Sequence, residues 1–243
     1  LLSQSGLTAD AMAKLLGDVI DTKTIEERQT ALLTLGTIRS SQVATTLGKL
    51  IGQMEQRQLP QELLLELGEA LDSARIPALL EKYKSLAGAL STDTLKASYA
   101  SSLLGGNPQR GAQIFWGHAS AQCVRCHSLG DYGGTAGPRL NGVASRLTRE
   151  QLLEALINPS ARIAAGYGTV SLELTDGKTI NGVLMAEKAD GLHVKSGDLP
   201  EVTIPRSQIR KRTDGASSMP PMRFILTRKE IRDVVSYLSE LKK

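Results

Sequence analysis

Residues 123–127 read Cys123-Val124-Arg125-Cys126-His127, and these two cysteines are the only ones among 243 residues. C-x-x-C-H is the pattern of covalent c-type haem attachment. Each thiol can add across a haem vinyl group, and two intervening residues match the spacing of the two vinyls. The imidazole that follows is carried beneath the iron as its proximal ligand. A chain that attaches haem in this way would fold around a large, flat apolar group. Two other chemistries share the C-x-x-C element. A redox disulfide wants a βαβ context before it, which is missing. Structural zinc wants four ligands, and no second Cys/His cluster exists.

Composition agrees with that demand. Aromatics are scarce, with one Trp, two Phe and five Tyr. A covalent haem would supply much of the flat apolar bulk that such a domain lacks. Hydrophobic content of 41% and charged content of 22% are those of an ordinary globular chain, long enough for one large or two modest domains. The formal charge of +4 permits an acidic partner. No long Lys/Arg run interleaved with aromatics appears, so nucleic acid is not expected. No stretch approaches the roughly 18 apolar residues of a membrane span. No signal peptide is visible and the chain begins with Leu1, so it reads as a processed chain or a piece of a longer one.

Before the motif the pattern is helical. Apolar residues recur at three- and four-residue steps over 11–20, 30–38, 43–54, 61–71, 76–86 and 93–103. A repeat is present: residues 32–36 align with 64–68 at a shift of 32, and Val43 and Leu47 with Ile76 and Leu80 at a shift of 33. Paired helices at that period point to a short α-solenoid, with an irregular helical bundle as the alternative. This half holds no Cys or His, and its charges alternate as on a solvated face. A spacer, a docking surface or the join to another domain are the roles that fit.

The boundary is expected at Gly105-Gly106-Asn107-Pro108, where two glycines end one helix and an Asn N-cap with Pro at the first position opens another. That helix carries Gly111 and Phe115 on one face. A glycine-rich loop, 130–142, follows the motif; it lacks the Gly-Lys-Ser/Thr ending of a phosphate loop. Thr148 and Gln151 form a capping box for a helix to Ile157. The period then changes to two. Strands are expected over 169–175, 179–186, 192–195 and 201–204, joined by turns at Asp176-Gly177 and Ala189-Asp190-Gly191. Together they make a small antiparallel insert at about 168–212. Its exit (Arg206, Arg210, Lys211 and Arg212) reads as a solvated basic loop or a docking patch. A second capping box, Thr227 to Glu230, opens a terminal helix to about Leu241.

The order of helix, C-x-x-C-H, Gly-Pro-x-Leu, Asn-Pro-Ser, β insert, Ser-x-Met-Pro and terminal helix resembles a class I cytochrome c. In particular it resembles the haem-binding domain of the Pirellula/Verrucomicrobium type, which carries a β insertion. The likeness covers about residues 105–243. The helical half, 1–104, is similar in character to the HEAT-like repeats that precede such domains in large secreted proteins with sugar-dehydrogenase-like propellers. The fold class that follows is mainly α: an N-terminal helical repeat domain, then a class I cytochrome c domain with a small antiparallel insert.

The resemblance implies roles for single residues. Cys123 and Cys126 would attach one covalent haem c, and His127 would be the proximal ligand. The Pro138 carbonyl would accept the His127 Nδ1–H and so orient the ring. Gly111 would allow close crossing with the terminal helix, and Phe115 would pair with Tyr237. Met219, in a proline-stiffened loop before that helix, would be the sixth ligand. Its rivals are Met222, Met185, His118 and His193. Of these, Met185 reads as insert core, His118 as too near the motif, and His193 as projecting from a strand to solvent. His/Met ligation would raise the reduction potential relative to bis-His. The function implied is electron transfer outside the cytoplasm, by a carrier that is not itself an enzyme, from a redox partner or a fused dehydrogenase. The alternative is a haem enzyme or sensor whose labile sixth ligand yields to a small molecule.

Overall fold

The structure, a computed structural model, describes residues 6–89 and 92–243. Most of its regular structure is helical, beside one five-stranded antiparallel sheet. The chain divides into two compact units, each drawn from two stretches: Leu1–Gly111 with Arg228–Tyr237, and Ala112–Thr227 with Leu238–Lys243.

The first unit starts with helices α1 (Ala9–Thr22), α2 (Ile25–Thr37), α3 (Ser41–Glu55), α4 (Leu64–Ala74), α5 (Pro77–Gly88) and α6 (Thr94–Tyr99). Their starts are set by polar caps. Thr24 and Glu27 close a reciprocal box at α2, and Ser40 caps α3. The apolar stripes converge in one core that includes Ile20, Leu32, Leu35, Leu47, Leu63, Leu67 and Leu71, all fully buried. The sequence repeat maps onto packing: α2 lies on its equivalent α4, and α3 on its equivalent α5. Backbones meet closely between α2 and α4, where a Cβ on Gly36 would sit 2.7 Å from Ala70 Cα. Any side chain there would push the two helices apart.

The boundary expected at Gly105 does not separate these units. Helix α10 (Arg228–Leu238) groups through Tyr237 with the N-terminal helices. Arg232 on α10 donates two hydrogen bonds to the Glu66 carboxylate on α4, at 2.9 and 2.7 Å, and both side chains are shut from solvent. Glu66 thus departs from the solvated face expected of this half's charges. The start of α7 (Pro108–Gly117) also meets α10. A Cβ on Gly106 or Gly111 would overlap the backbone carbonyls of Arg232 and Asp233, so only glycine permits the crossing. Asn107 caps α7 through the Arg110 N–H at 2.8 Å, as the sequence predicts, and its own N–H donates to Asp233.

The second unit holds the one-turn helix α8 (Cys123–Cys126), a two-residue hairpin of β1 (Ser128–Leu129) and β2 (Tyr132–Gly133), and α9 (Arg149–Ile157). The sheet comprises β3 (Thr169–Leu174), β4 (Thr179–Lys188), β5 (Gly191–Lys195), β6 (Val202–Ile204) and β7 (Ile209–Asp214), in the order β6-β5-β4-β3-β7. Val170, Leu172, Leu174, Leu192, Val194 and Ile204 form its core. The basic exit expected as a loop is therefore mostly strand. Ile209–Asp214 pairs antiparallel with β3, and its cations meet acids across the sheet. Arg210 reaches Glu173 at 2.8 Å, and Arg212 reaches Glu187 at 2.7 Å and Asp214 at 2.8 Å. Three consecutive exposed cations hid the strand, because its one inward residue near the start, Ile209, leaves no apolar period to read. Residues 238–243 belong to this unit: the N–H groups of Ala144 and Gly142 donate to the carbonyls of Leu241 and Lys243.

Candidate functional site

Gln122 adopts a left-handed conformation, φ 44°, and turns the chain into the single helical turn that carries both cysteines. Both are free thiols, Cys126 exposed and Cys123 half-buried. Burial pushes the Cys123 thiol above its ordinary value, against a backbone hydrogen bond that favours the thiolate. His127 follows directly, with extended backbone and its N–H on the Cys123 carbonyl.

The imidazole is fixed by the segment that runs back beside it. His127 Nδ1 lies 2.8 Å from the Pro138 carbonyl oxygen, as the resemblance implies. A carbonyl only accepts, so Nδ1 carries a proton, and in the neutral ring Nε2 then keeps the lone pair. That tautomer presents one ligating nitrogen. Two backbone bonds flank the contact: Gly137 N–H to the Cys126 carbonyl at 2.8 Å, and Leu140 N–H to the Ser128 carbonyl at 2.9 Å.

Glycines make this wrapping possible. A Cβ on Gly137 would stand 2.7 Å from His127 Cε1, so the ring packs on bare backbone. Cβ atoms on Gly133 and Gly134 would overlap the carbonyls of His127 and Arg125, and Gly133 has φ +110°. The density of glycine in 130–142 is visible in the sequence. Which of them face the motif follows only from the β1–β2 hairpin, a pairing too short to leave a period.

The other expected site residues are positioned by other elements. Met219 is half-buried in the loop after β7, and its N–H donates to Ser217 Oγ at 3.2 Å. Ser217 N–H in turn donates to Ser160 Oγ at 3.1 Å, which ties the loop to the turn after α9. Met222 is buried at the start of the 3₁₀ turn Met222–Phe224. Met185 is the extra residue of a β-bulge in β4, between Leu184 and Ala186, and not a regular core position of the insert. His118 uses Nδ1 to accept the N–H groups of Ser120 and Ala121. His193 is 8% exposed and bonded to Glu201 and Asp190, not directed to solvent.

Among the described residues no group of three or more His, Cys, Asp and Glu side chains could hold a metal ion. What the motif offers is two thiols on one turn and one oriented imidazole. This set suits capture of a planar group through two thioethers with nitrogen ligation.

No protein-family model matches the chain, and no curated protein matches it. Among solved structures, the crystal structure of SoxXA from P. pantotrophus aligns with 57% of this chain and 83% of its own, at 25% sequence identity and a TM-score of 0.30. A TM-score that low carries no fold assignment. Among the described residues no helix is long and apolar enough to cross a membrane.

Proposed function

We propose that this chain is a c-type cytochrome electron-transfer module with one covalent haem. Residues 105–243 carry the class I cytochrome reading with its β insert, and the preceding helices form a HEAT-like array. The observation that carries it is the hydrogen bond from His127 Nδ1–H to the Pro138 carbonyl beside two free thiols on one turn. The residues present fit the group. Cys123 and Cys126 are spaced for two thioether links, the His127 tautomer leaves Nε2 as donor, and Gly137 gives the ring a flat wall.

Haem bound there supplies a one-electron redox couple. The remaining tasks fall to the chain's own residues. His127 would hold the group through Nε2, and the Pro138 carbonyl keeps a proton on Nδ1 and so would strengthen the ring as a donor. Met219 would supply a thioether to hold the group, from a loop tied through Ser217 and Ser160. Held by both side chains, the group would pass electrons, and the chain would perform no chemistry on small substrates. It works outside the cytoplasm and receives electrons from a redox protein or a fused dehydrogenase.

Protein made with a c-type maturation system should keep its haem through denaturing electrophoresis and gain the mass of one haem. Cys123→Ala with Cys126→Ala should abolish both. Haem that washes out of the unmutated denatured protein would sink the reading. Met219→Ala should remove the weak far-red absorption of a ferric iron–thioether bond, whereas Met222→Ala should keep it. An unmutated protein without that band, which binds carbon monoxide readily when reduced, would establish the enzyme or sensor reading instead.

A further inference from the structure

The segment that supplies the Pro138 carbonyl is held at its far end by a side-chain latch that the haem chemistry itself does not require. Asn141 Oδ1 accepts two hydrogen bonds, from the Gly130 N–H at 3.0 Å and from Arg139 Nε–H at 2.8 Å. Arg139 donates a second time, to the Gly130 carbonyl at 2.9 Å. Gly130 is the first residue of the turn between β1 and β2, with φ +63°. Both of its backbone polar groups are therefore taken by residues 139 and 141. Arg146 completes the arrangement from below, donating to the Asn141 carbonyl at 2.7 Å and to the Arg139 carbonyl at 3.0 Å.

The consequence for His127 is geometric. Residues 137–141 run back along 126–130, joined by Gly137 to Cys126, by Leu140 to Ser128 and by the latch to Gly130. Between the first two joins the tie is the His127–Pro138 bond itself. Without the latch, one backbone bond, Leu140 to Ser128, joins the far side of the strip to residues 126–130, and Arg146 ties it only to residues further along the chain. The Pro138 carbonyl can then swing, and the ring loses the partner that fixes its tautomer. We infer that Asn141 and Arg139 are positioning residues for the proximal ligand, acting through the Pro138 carbonyl on the donor strength of His127. This rests on the cytochrome reading only for its electrochemical consequence. The effect on the imidazole is a property of the chain with or without haem.

The latch lies at the surface, where a single hydrogen bond adds little net stability. A purely structural role would appear as a small fall in melting temperature and nothing else. A positioning role moves the imidazole. The test uses the full chain as Asn141→Ala, Asn141→Asp and Arg139→Leu, with attached haem first determined by mass. In haem-free protein, nitrogen-15 spectra of the labelled histidines report the tautomer of His127. The Nδ1–H form should dominate in the unmutated chain and fall at least severalfold in Asn141→Ala. In haem-loaded protein, Nδ1–H exchange should speed by about tenfold in Asn141→Ala, with a higher reduction potential, because a weaker imidazole donor favours ferric iron less. Asn141→Asp keeps the accepting oxygen and should restore tautomer and exchange. Arg139→Leu keeps the Gly130 bond to Asn141 and should fall between.

If Asn141→Ala leaves tautomer and exchange unchanged, or if Asn141→Asp is as impaired as Asn141→Ala, the latch has no positioning role. Absence of covalent haem from the unmutated chain overturns the cytochrome reading alone, since the tautomer is still read on the haem-free form.

Discussion

His193 is held from both sides of its ring, by Glu201 on Nδ1 at 2.8 Å and Asp190 on Nε2 at 3.1 Å, with the Thr203 hydroxyl 3.4 Å from Nδ1. A neutral imidazole has one N–H, so only the imidazolium can donate to both carboxylates. The hydrogen bonds to Asp190 and Glu201 raise the His193 pKa; burial and the neighbouring Lys188 oppose them. Because the folded value lies above the unfolded one of about 6.5, the clamp contributes its full stability below that value. The contribution fades as pH rises through the folded value. On the acid side, the bond to His193 lowers the Asp190 pKa, so that contact is lost only as pH falls through a depressed value. Thermal melts should therefore show a loss of stability on raising the pH above about 6.5 that His193→Gln removes. A titration of the His193 ring signals at or below the free value would refute the clamp. The strand pattern expected His193 to face solvent. What it lacked was register: Glu201 stands eight residues on, beyond a turn whose length the sequence does not specify. His127 was legible for the opposite reason, since its partners lie within one short motif and one Gly-Pro segment.

The bond between α4 and α10 shows a similar limit between elements. Glu66 and Arg232 are 166 residues apart, and each sits in a helix whose apolar period reads correctly. No local signal marks a charge as buried when its partner arrives from the other end of the chain. The pair is a bidentate fork, yet Arg232 Nε is buried without a hydrogen-bond partner among the described residues. Breaking such a pair leaves a stranded charge and costs about 3–5 kcal/mol, whereas its replacement by apolar residues is often neutral or stabilising. Glu66→Ala or Arg232→Ala should each destabilise by about that amount. Glu66→Leu with Arg232→Met should recover most of it in chemical denaturation. If the double variant is as unstable as either single one, the cost lies in packing and not in the charge. The helices themselves were readable because caps and stripes are local. The strand β7 was not, because the acids that meet its cations come mostly from β3 and β4, distant in sequence.

At the scale of the whole molecule, the helical half, the insert and the motif's local geometry were all legible, and the partition of the chain was not. Glycine pairs and an Asn-Pro start at 105–108 are strong local punctuation, and they do open α7. A contact unit, however, is defined by what closes it, and Arg228–Tyr237 closes the unit of the N-terminal helices. Amides of α10 should accordingly exchange with α2 and α4 in native-state hydrogen exchange. A fragment of residues 107–243 should be less stable than the same residues in the intact chain, recovering when residues 1–104 are added in trans. Equal stability of the fragment alone would show that the tie through Glu66 is dispensable. Both units also end on one stretch: the first needs Arg228–Tyr237, and the second uses the carbonyls of Leu241, Lys242 and Lys243. A ribosome emits the chain from its amino end, and domains tend to fold as their last residue emerges. Neither unit here can close until residues 228–243 are out. The turn bearing Cys123 and Cys126 is made more than a hundred residues earlier. Until then it stays unfinished and accessible, and the emergence of residues 228–243 ends that interval.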